Sequence, residues 1–121
     1  MRRWVLAAAL VCVPMSAQAM TVAEFMGKAT ALKKKGPLAL MSPDIKLLKA
    51  EMVGITTAYR ADAIAARTAG KPLSCPPTGR VKMGAGELMA GLATIPAEQA
   101  RVMPMKTAFY AFMKRRYPCP A

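Results

Sequence analysis

The sequence predicts a small all-α domain, and three observations carry this prediction. Apolar residues recur three and four positions apart, which is typical of amphipathic helices. Residues that start and stop helices, mainly Ser, Thr, Pro and Gly, stand at both ends of these apolar segments. No stretch has the alternating polar and apolar pattern of a half-buried strand. We therefore expect a single bundle of about four helices within the 121 residues of the chain.

The segment before the first helix has the pattern of a secretory signal peptide. Arg2 and Arg3 are followed by an apolar run of about eleven residues, and then by small residues at Ala17 and Ala19. This run is shorter than the roughly 20 apolar residues of a membrane-spanning helix. The pattern predicts a signal peptide at residues 1–19, cleavage before Met20 and a helical domain at 20–121. The expected location is the periplasm, with no membrane span.

Two long helices are expected in the first half of the domain. The first covers residues 22–35, since Thr21 and Glu24 have the spacing of a capping box and Gly36 begins a stop signal. Its apolar face consists of Val22, Phe25, Met26, Ala29 and Leu32. A short apolar connector at 38–41 follows, with one turn of helix as the alternative. The second helix begins after Ser42, runs for about 25 residues and ends before Gly70.

Gly54, near the middle of this second helix, needs a separate explanation because glycine disfavours a helix interior by about 1 kcal/mol. We interpret it as a point where another backbone packs closely, with a bend in the helix as the alternative.

The second half is expected to contain a loop and shorter helices. Residues 71–82 include three prolines and Gly79, which predicts a loop around Cys75. A third helix is expected at about 85–94, and Pro96 starts one further turn that reaches about Ala100. The last helix begins near Pro104 and ends before Pro118. Its predicted core residues are Met105, Ala108, Phe109, Phe112 and Met113.

The cysteines predict one structural disulfide. Cys12 belongs to the predicted signal peptide, which leaves Cys75 and Cys119 in the exported domain. Two cysteines in an oxidising compartment are expected to pair. They are too far apart in the chain for a CxxC redox motif. The bond would tie the C-terminus to the mid-chain loop.

Residue types needed for catalysis or metal binding are scarce. The chain has no histidine, the usual general base and the commonest metal ligand. Its carboxylates stand mostly at predicted helix starts, and no glycine-rich phosphate loop is recognisable. Met103-Pro104-Met105 raises a copper(I) hypothesis. Core packing explains the nine methionines of the domain better, and a Met-rich partner surface is the remaining alternative. We expect a non-enzyme with no cofactor, no metal and no catalytic residue.

The charge balance favours an acidic partner. The exported domain would hold 16 basic and 6 acidic residues, a net charge of +10. Export argues against nucleic acid and leaves anionic lipid or an acidic protein face, with a purely solubilising surface as the alternative. The charges are densest in two runs, each in the last turn of a predicted helix. These candidate partner-binding residues are Lys33, Lys34, Lys35, Lys114, Arg115 and Arg116. Matching of the helix dipole is the alternative explanation for both runs.

Several short motifs follow one another in a recognisable order in the second half. They are Leu73-Ser74-Cys75-Pro76, Glu87-Leu88, Ile95-Pro96, Ala108-Phe109 and Tyr117-Pro118-Cys119-Pro120. This order resembles the Rap/Tai family of type VI secretion immunity proteins, which are small exported helical domains with paired cysteines. Where family members often carry a Cys-x-Gly-Tyr run, this chain has Met52-Val53-Gly54-Ile55 and lacks a second disulfide.

The resemblance implies a periplasmic protein that neutralises a secreted toxin by binding it. The expected partner is therefore a protein, with an acidic face of the toxin as the contact. The alternative is a periplasmic envelope protein that binds an anionic surface or acts as a small stress chaperone. A homodimer also remains open.

Overall fold

The computed structural model describes residues 19–77 and 83–120. It contains α1 (Val22–Lys35), a 3-10 turn (Gly36–Met41), α2 (Pro43–Thr68), α3 (Ala85–Ala93), α4 (Ala97–Ala100) and α5 (Met105–Arg116). Extended pairing within these ranges is limited to an isolated bridge between Thr21 and Pro104. The predicted all-α fold is confirmed, with a single-turn helix, α4, in addition to four longer ones.

Two sequence predictions lie largely or partly outside the described residues. The predicted signal peptide falls there except for Ala19, and so do residues 78–82 of the predicted loop. Among the helices that are described, none is both long enough and apolar enough to cross a membrane.

The helix starts and stops form where the capping residues predict them. The Thr21 hydroxyl accepts a hydrogen bond from the backbone N–H of Glu24 at 3.2 Å, and the Ser42 hydroxyl accepts one from Asp44 at 3.4 Å. These bonds satisfy N–H groups that have no partner within the first helical turn. Gly70 takes a positive φ of 75° just after α2, as expected of a helix-ending glycine.

The interpretation of Gly54 as a close-packing site is wrong. A Cβ atom placed on Gly54 would meet nothing within 4 Å outside its own helix, and α2 continues through it without interruption. The close approach occurs instead at Gly91 on α3, where a Cβ atom would lie 2.5 Å from Cδ2 of Phe112 on α5. The cost of glycine in a helix is therefore compensated by packing at Gly91 and not at Gly54.

A single core joins α1, α2, α3 and α5. All five core residues predicted for the last helix are buried, and Met105 has no exposed surface at all. This burial confirms core packing for the second methionine of the Met103-Pro104-Met105 motif. The buried apolar residues that pack together are Val22, Phe25, Ile55, Tyr59, Leu88, Leu92, Met105, Ala108, Phe109, Phe112, Met113 and Tyr117.

The disulfide fixes the loop after α2 to the C-terminus. Cys75 and Cys119 are bonded, with their Cα atoms 4.8 Å apart, which confirms the predicted pair. The backbone N–H of Cys75 also donates to the Tyr117 carbonyl at 2.8 Å. On its other side the loop is held by a buried hydrogen bond between the hydroxyls of Tyr59 and Ser74. The described part of the loop is thus connected to both α2 and α5.

Candidate functional site

The turn between α1 and α2 exposes large apolar side chains next to lysines. Leu38, Leu40 and Met41 are 69%, 76% and 85% exposed, respectively. The preceding Lys33, Lys34 and Lys35 occupy the last turn of α1 and are all exposed. We call these six residues the junction surface. It combines an apolar centre with a dense positive charge on one continuous stretch of chain.

The neighbouring part of α2 extends the same character. Lys46 and Lys49 are exposed, and Leu47 between them is half exposed. Asp44, the one acidic residue between positions 33 and 49, is partly buried and pairs with Lys28 at 3.3 Å. Its charge is therefore already compensated within the fold. The junction surface and the first turns of α2 together carry a positive charge with little local opposition.

Sequence reasoning identified the lysines of the junction surface but not its apolar residues. Leu38, Leu40 and Met41 belong to an apolar run that looks like a connector, too short for helical periodicity to assign a buried or exposed face. One signal was present in the sequence. The apolar run has only four residues and lies between two helix boundaries. It is therefore too short to include a further turn against which its side chains could pack.

The second predicted cluster, Lys114, Arg115 and Arg116, lies in the last turn of α5 with all three residues exposed. Arg116 is partly engaged within the fold, since it pairs with Glu87 on α3 and lies 5.0 Å from the ring centre of Tyr117. The hydrogen bond and the charge of Glu87 raise the pKa of Arg116. Lys114 and Arg115 are the members of this cluster with no ion pair among the described residues.

A polar pair links α2 and α5 on the surface. The hydroxyl of Tyr110 donates a hydrogen bond to Oδ2 of Asp62 at 2.6 Å. Burial, followed by this hydrogen bond and the Asp62 charge, raises the pKa of Tyr110 to about 12. The ring of Tyr110 also meets Tyr59 edge to face, with centroids 5.0 Å apart. The pair is explained by packing of the two helices, because a phenol that ionises so late is a poor acid or base near neutral pH.

A pocket of about 530 Å³ opens between the helices. Its volume is within the range of about 300–1,000 Å³ that is typical of small-molecule sites. The lining comes from α1, α2, α3, α5 and the segment just before α3. The described residues that line it are Phe25, Met52, Thr56, Tyr59, Arg60, Met83, Gly84, Ala85, Leu88, Met89, Phe109 and Met113. The sequence did not predict this pocket, because its walls come from positions up to 88 residues apart.

Side chains suited to metal binding do not cluster in the described part of the chain: no group of three or more His, Cys, Asp or Glu residues is close enough to hold an ion. The described residues instead form two candidate binding surfaces. One is the basic and apolar junction surface, and the other is the pocket.

Comparisons of the chain with protein families, with characterised proteins and with solved structures gave no match.

Proposed function

We propose that this chain is an exported helical binding protein that neutralises a secreted protein toxin by covering an acidic part of its surface. The observation that carries the proposal is the junction surface. Contact with a partner would bury Leu38, Leu40 and Met41, while Lys33 and its two neighbours would meet acidic groups at the edge. The resemblance to the Rap/Tai immunity proteins supplies the toxin as the class of partner.

The physical basis is the usual composition of protein interfaces. Their centres are apolar and depleted in charge, and their rims are polar and accessible to solvent. Exposed apolar side chains that are adjacent to one another mark interaction sites more often than isolated ones do. Basic residues at a rim accelerate association with an acidic partner and reduce the number of unsuitable partners.

The proposed location is the periplasm, and the disulfide supports it because such bonds persist in oxidising compartments. Fractionation followed by intact mass measurement tests this location. We expect a periplasmic species that begins at Met20 and lacks free thiols. A full-length chain in the cytoplasm would contradict the proposal.

The toxin-binding proposal predicts that a gene next to this one encodes a toxin, and the product of that gene is the partner to test. Cells that export the toxin should grow only when they also produce this protein, and the two purified proteins should form a complex. Substitution of Leu38, Leu40 and Met41 by Ser should weaken the complex at least about tenfold, because full burial of a Leu or Met side chain contributes about 1.5–3 kcal/mol.

A matched control changes three other exposed apolar residues. Val53, Ile64 and Val102 are 64%, 65% and 77% exposed and lie outside the junction surface. Their combined replacement by Ser should leave growth protection and affinity unchanged. If both triple variants bind the toxin equally well, the junction surface is not the interface. If the wild-type protein neither binds nor protects, the toxin-neutralising function is wrong.

The junction surface also favours a second candidate function, which is attachment to an anionic lipid surface. Leucine and methionine side chains beside several lysines can insert at a head-group boundary while the lysines attract negative lipids. Sedimentation with phosphatidylglycerol vesicles tests it. Binding to these vesicles that is lost in the Leu38, Leu40 and Met41 variant, without any complex with the toxin, would favour this second function.

A further inference from the structure

The pocket between the helices has an apolar floor, and the described residues of its lining include a single positive charge. Phe25, Tyr59, Leu88, Phe109 and Met113 are buried and form its inner wall. The exposed lining residues are Arg60, Gly84 and Ala85, so the opening lies between α2 and the start of α3. None of the lining residues belongs to the junction surface. The pocket is thus separate from the junction surface, and an inference about it does not depend on the proposed function.

Few polar side chains line the pocket, and the hydrogen bonds that they already form limit which of them can donate to a ligand. Thr56 donates its hydroxyl hydrogen to the Met52 carbonyl at 2.8 Å, so it is not free to donate to a ligand. Arg60 is the only charged residue among the described residues of the lining, and it forms no ion pair within 4.0 Å with another described residue. Among the described side chains of the lining, the charged donor available at the mouth is therefore the guanidinium group of Arg60.

From this arrangement we infer that the pocket binds a small amphiphile with one acyl chain and an anionic carboxylate head group. The chain would displace water from the apolar floor, which is favourable in proportion to the apolar area buried. The carboxylate would meet Arg60 at the mouth, where the planar guanidinium can donate two parallel hydrogen bonds. The net positive charge of the protein adds attraction for the same head group.

The methionines of the lining favour a flexible ligand. Met52, Met83 and Met89 are partly buried, and Met113 is buried at the floor. Unbranched thioether side chains adapt their shape more easily than branched or aromatic ones. A lining rich in methionine can therefore fit chains that adopt several conformations, whereas a rigid ring system would gain less from it.

Isothermal titration calorimetry with laurate below its micelle concentration tests the inference on the purified protein. We expect saturable binding of one laurate per chain. Laurate methyl ester, which keeps the chain but has no charge, should bind about tenfold more weakly, and dodecylamine should bind more weakly still. The replacement Arg60→Gln should weaken laurate about tenfold and leave the ester unchanged, because a charged hydrogen bond contributes about 1.5 kcal/mol or more.

Two matched controls separate this site from general effects. Arg67 lies two turns further along the exposed side of α2 and does not line the pocket, so Arg67→Gln should leave laurate affinity unchanged. Ala85→Trp should block the mouth and abolish binding, since Ala85 is exposed and lines the pocket. Ala97, the first residue of α4, is also exposed, and Ala97→Trp should have no effect.

Four outcomes would overturn the inference. The first is the absence of saturable laurate binding to the wild-type protein. The second is equal weakening by Arg60→Gln and Arg67→Gln, which would indicate attraction to the positive surface alone. The third is undiminished binding to the Ala85→Trp variant. Binding to phosphatidylglycerol vesicles but not to free laurate would also overturn it, since the source of the anionic head group would then be a membrane.

Discussion

Gly91 lies where α3 packs against the ring of Phe112 on α5. A Cβ atom at this position would lie 2.5 Å from Cδ2 and 2.6 Å from Cε2 of the ring. Phe112 is buried in the core, so an added methyl group would have to displace a packed ring. We expect Gly91→Ala to lower the free energy of unfolding by about 1–3 kcal/mol, the usual cost of overpacking a core. Urea denaturation monitored by circular dichroism measures this change.

Gly86 and Gly54 provide the controls for this substitution. Both are helical, and a Cβ atom at either position would meet nothing within 4 Å. Alanine should therefore raise the free energy of unfolding by up to about 1 kcal/mol at each, through helix propensity alone. An increase of the same size for Gly91→Ala would mean that the contact with Phe112 relaxes without cost.

Tyr110 should make the stability of the protein depend on alkaline pH. Its pKa is raised from 10.0 to about 12, first by burial and then by Asp62. Since the neutral phenol is favoured in the folded state, the stabilisation is fully present below pH 10 and is lost as the pH rises toward 12. Ultraviolet titration should show a tyrosine ionisation near pH 12 that is lost in Tyr110→Phe.

The variant Asp62→Asn separates the effect of burial on the pKa of Tyr110 from the effect of Asp62. Loss of the Asp62 charge should lower the pKa of Tyr110, but burial should keep it above 10.0. If Tyr110 of the unmodified protein titrates at an ordinary pH, the hydrogen bond between these two side chains does not persist in solution.

At the scale of elements, α2 shows how local signals define a helix. The Ser42 cap, Pro43 at the first position and Gly70 after the end bound 26 helical residues. These signals act through the backbone of the nearest turn, so they do not depend on the rest of the fold. Four basic residues of α2 are exposed and form no ion pair with another described residue: Lys46, Lys49, Arg60 and Arg67. Asp44 and Asp62 instead bond to side chains of α1 and α5.

The loop after α2 depends more on covalent anchoring than the helices do. The bond between Cys75 and Cys119 closes a segment with a sequence separation of 44 residues. In the chain-entropy model such a loop contributes about 4 kcal/mol. Replacement of both cysteines by Ser should lower the free energy of unfolding by about 2–5 kcal/mol in urea denaturation. A reductant should destabilise the unmodified protein and leave the variant unchanged, whereas equal midpoints for both would show that the bond adds no stability.

At the scale of the whole molecule, the excess of positive charge should act mainly on association rates. Lys114 and Arg115 are the exposed members of the C-terminal run that form no ion pair within the described structure. Replacement of both by Gln should slow association with an acidic partner and flatten its dependence on salt. Arg116 stays unchanged in this variant, because its pair with Glu87 connects α5 to α3. Stopped-flow measurements at several salt concentrations give the association rate and its dependence on salt.

The control for this variant removes two positive charges elsewhere. Lys71 and Arg101 are exposed and belong to neither basic run. If their replacement by Gln slows association as much as the replacement of Lys114 and Arg115, the association rate depends on net charge alone. In that case the C-terminal run is a solvated helix end that matches the helix dipole.

The sequence by itself determined the helices and the disulfide. Helix starts, stops and apolar faces depend on residues within about four positions of each other, so the chain carries them locally. The predicted range of α1 and the predicted core of α5 are both observed. Cys75 and Cys119 could be paired by counting, since residues 20–121, which follow the predicted signal peptide, contain no other cysteine.

Only the tertiary structure decided which local features face a neighbour. Gly54 and Gly91 are both helical glycines, and packing against Phe112 alone distinguishes them. Likewise, the pairing of Arg116 with Glu87 joins residues 29 positions apart. The pocket and the exposure of the junction surface arise in the same way. Each results from how helices pack on one another, and such packing depends on shape complementarity between distant segments that sequence periodicity does not describe.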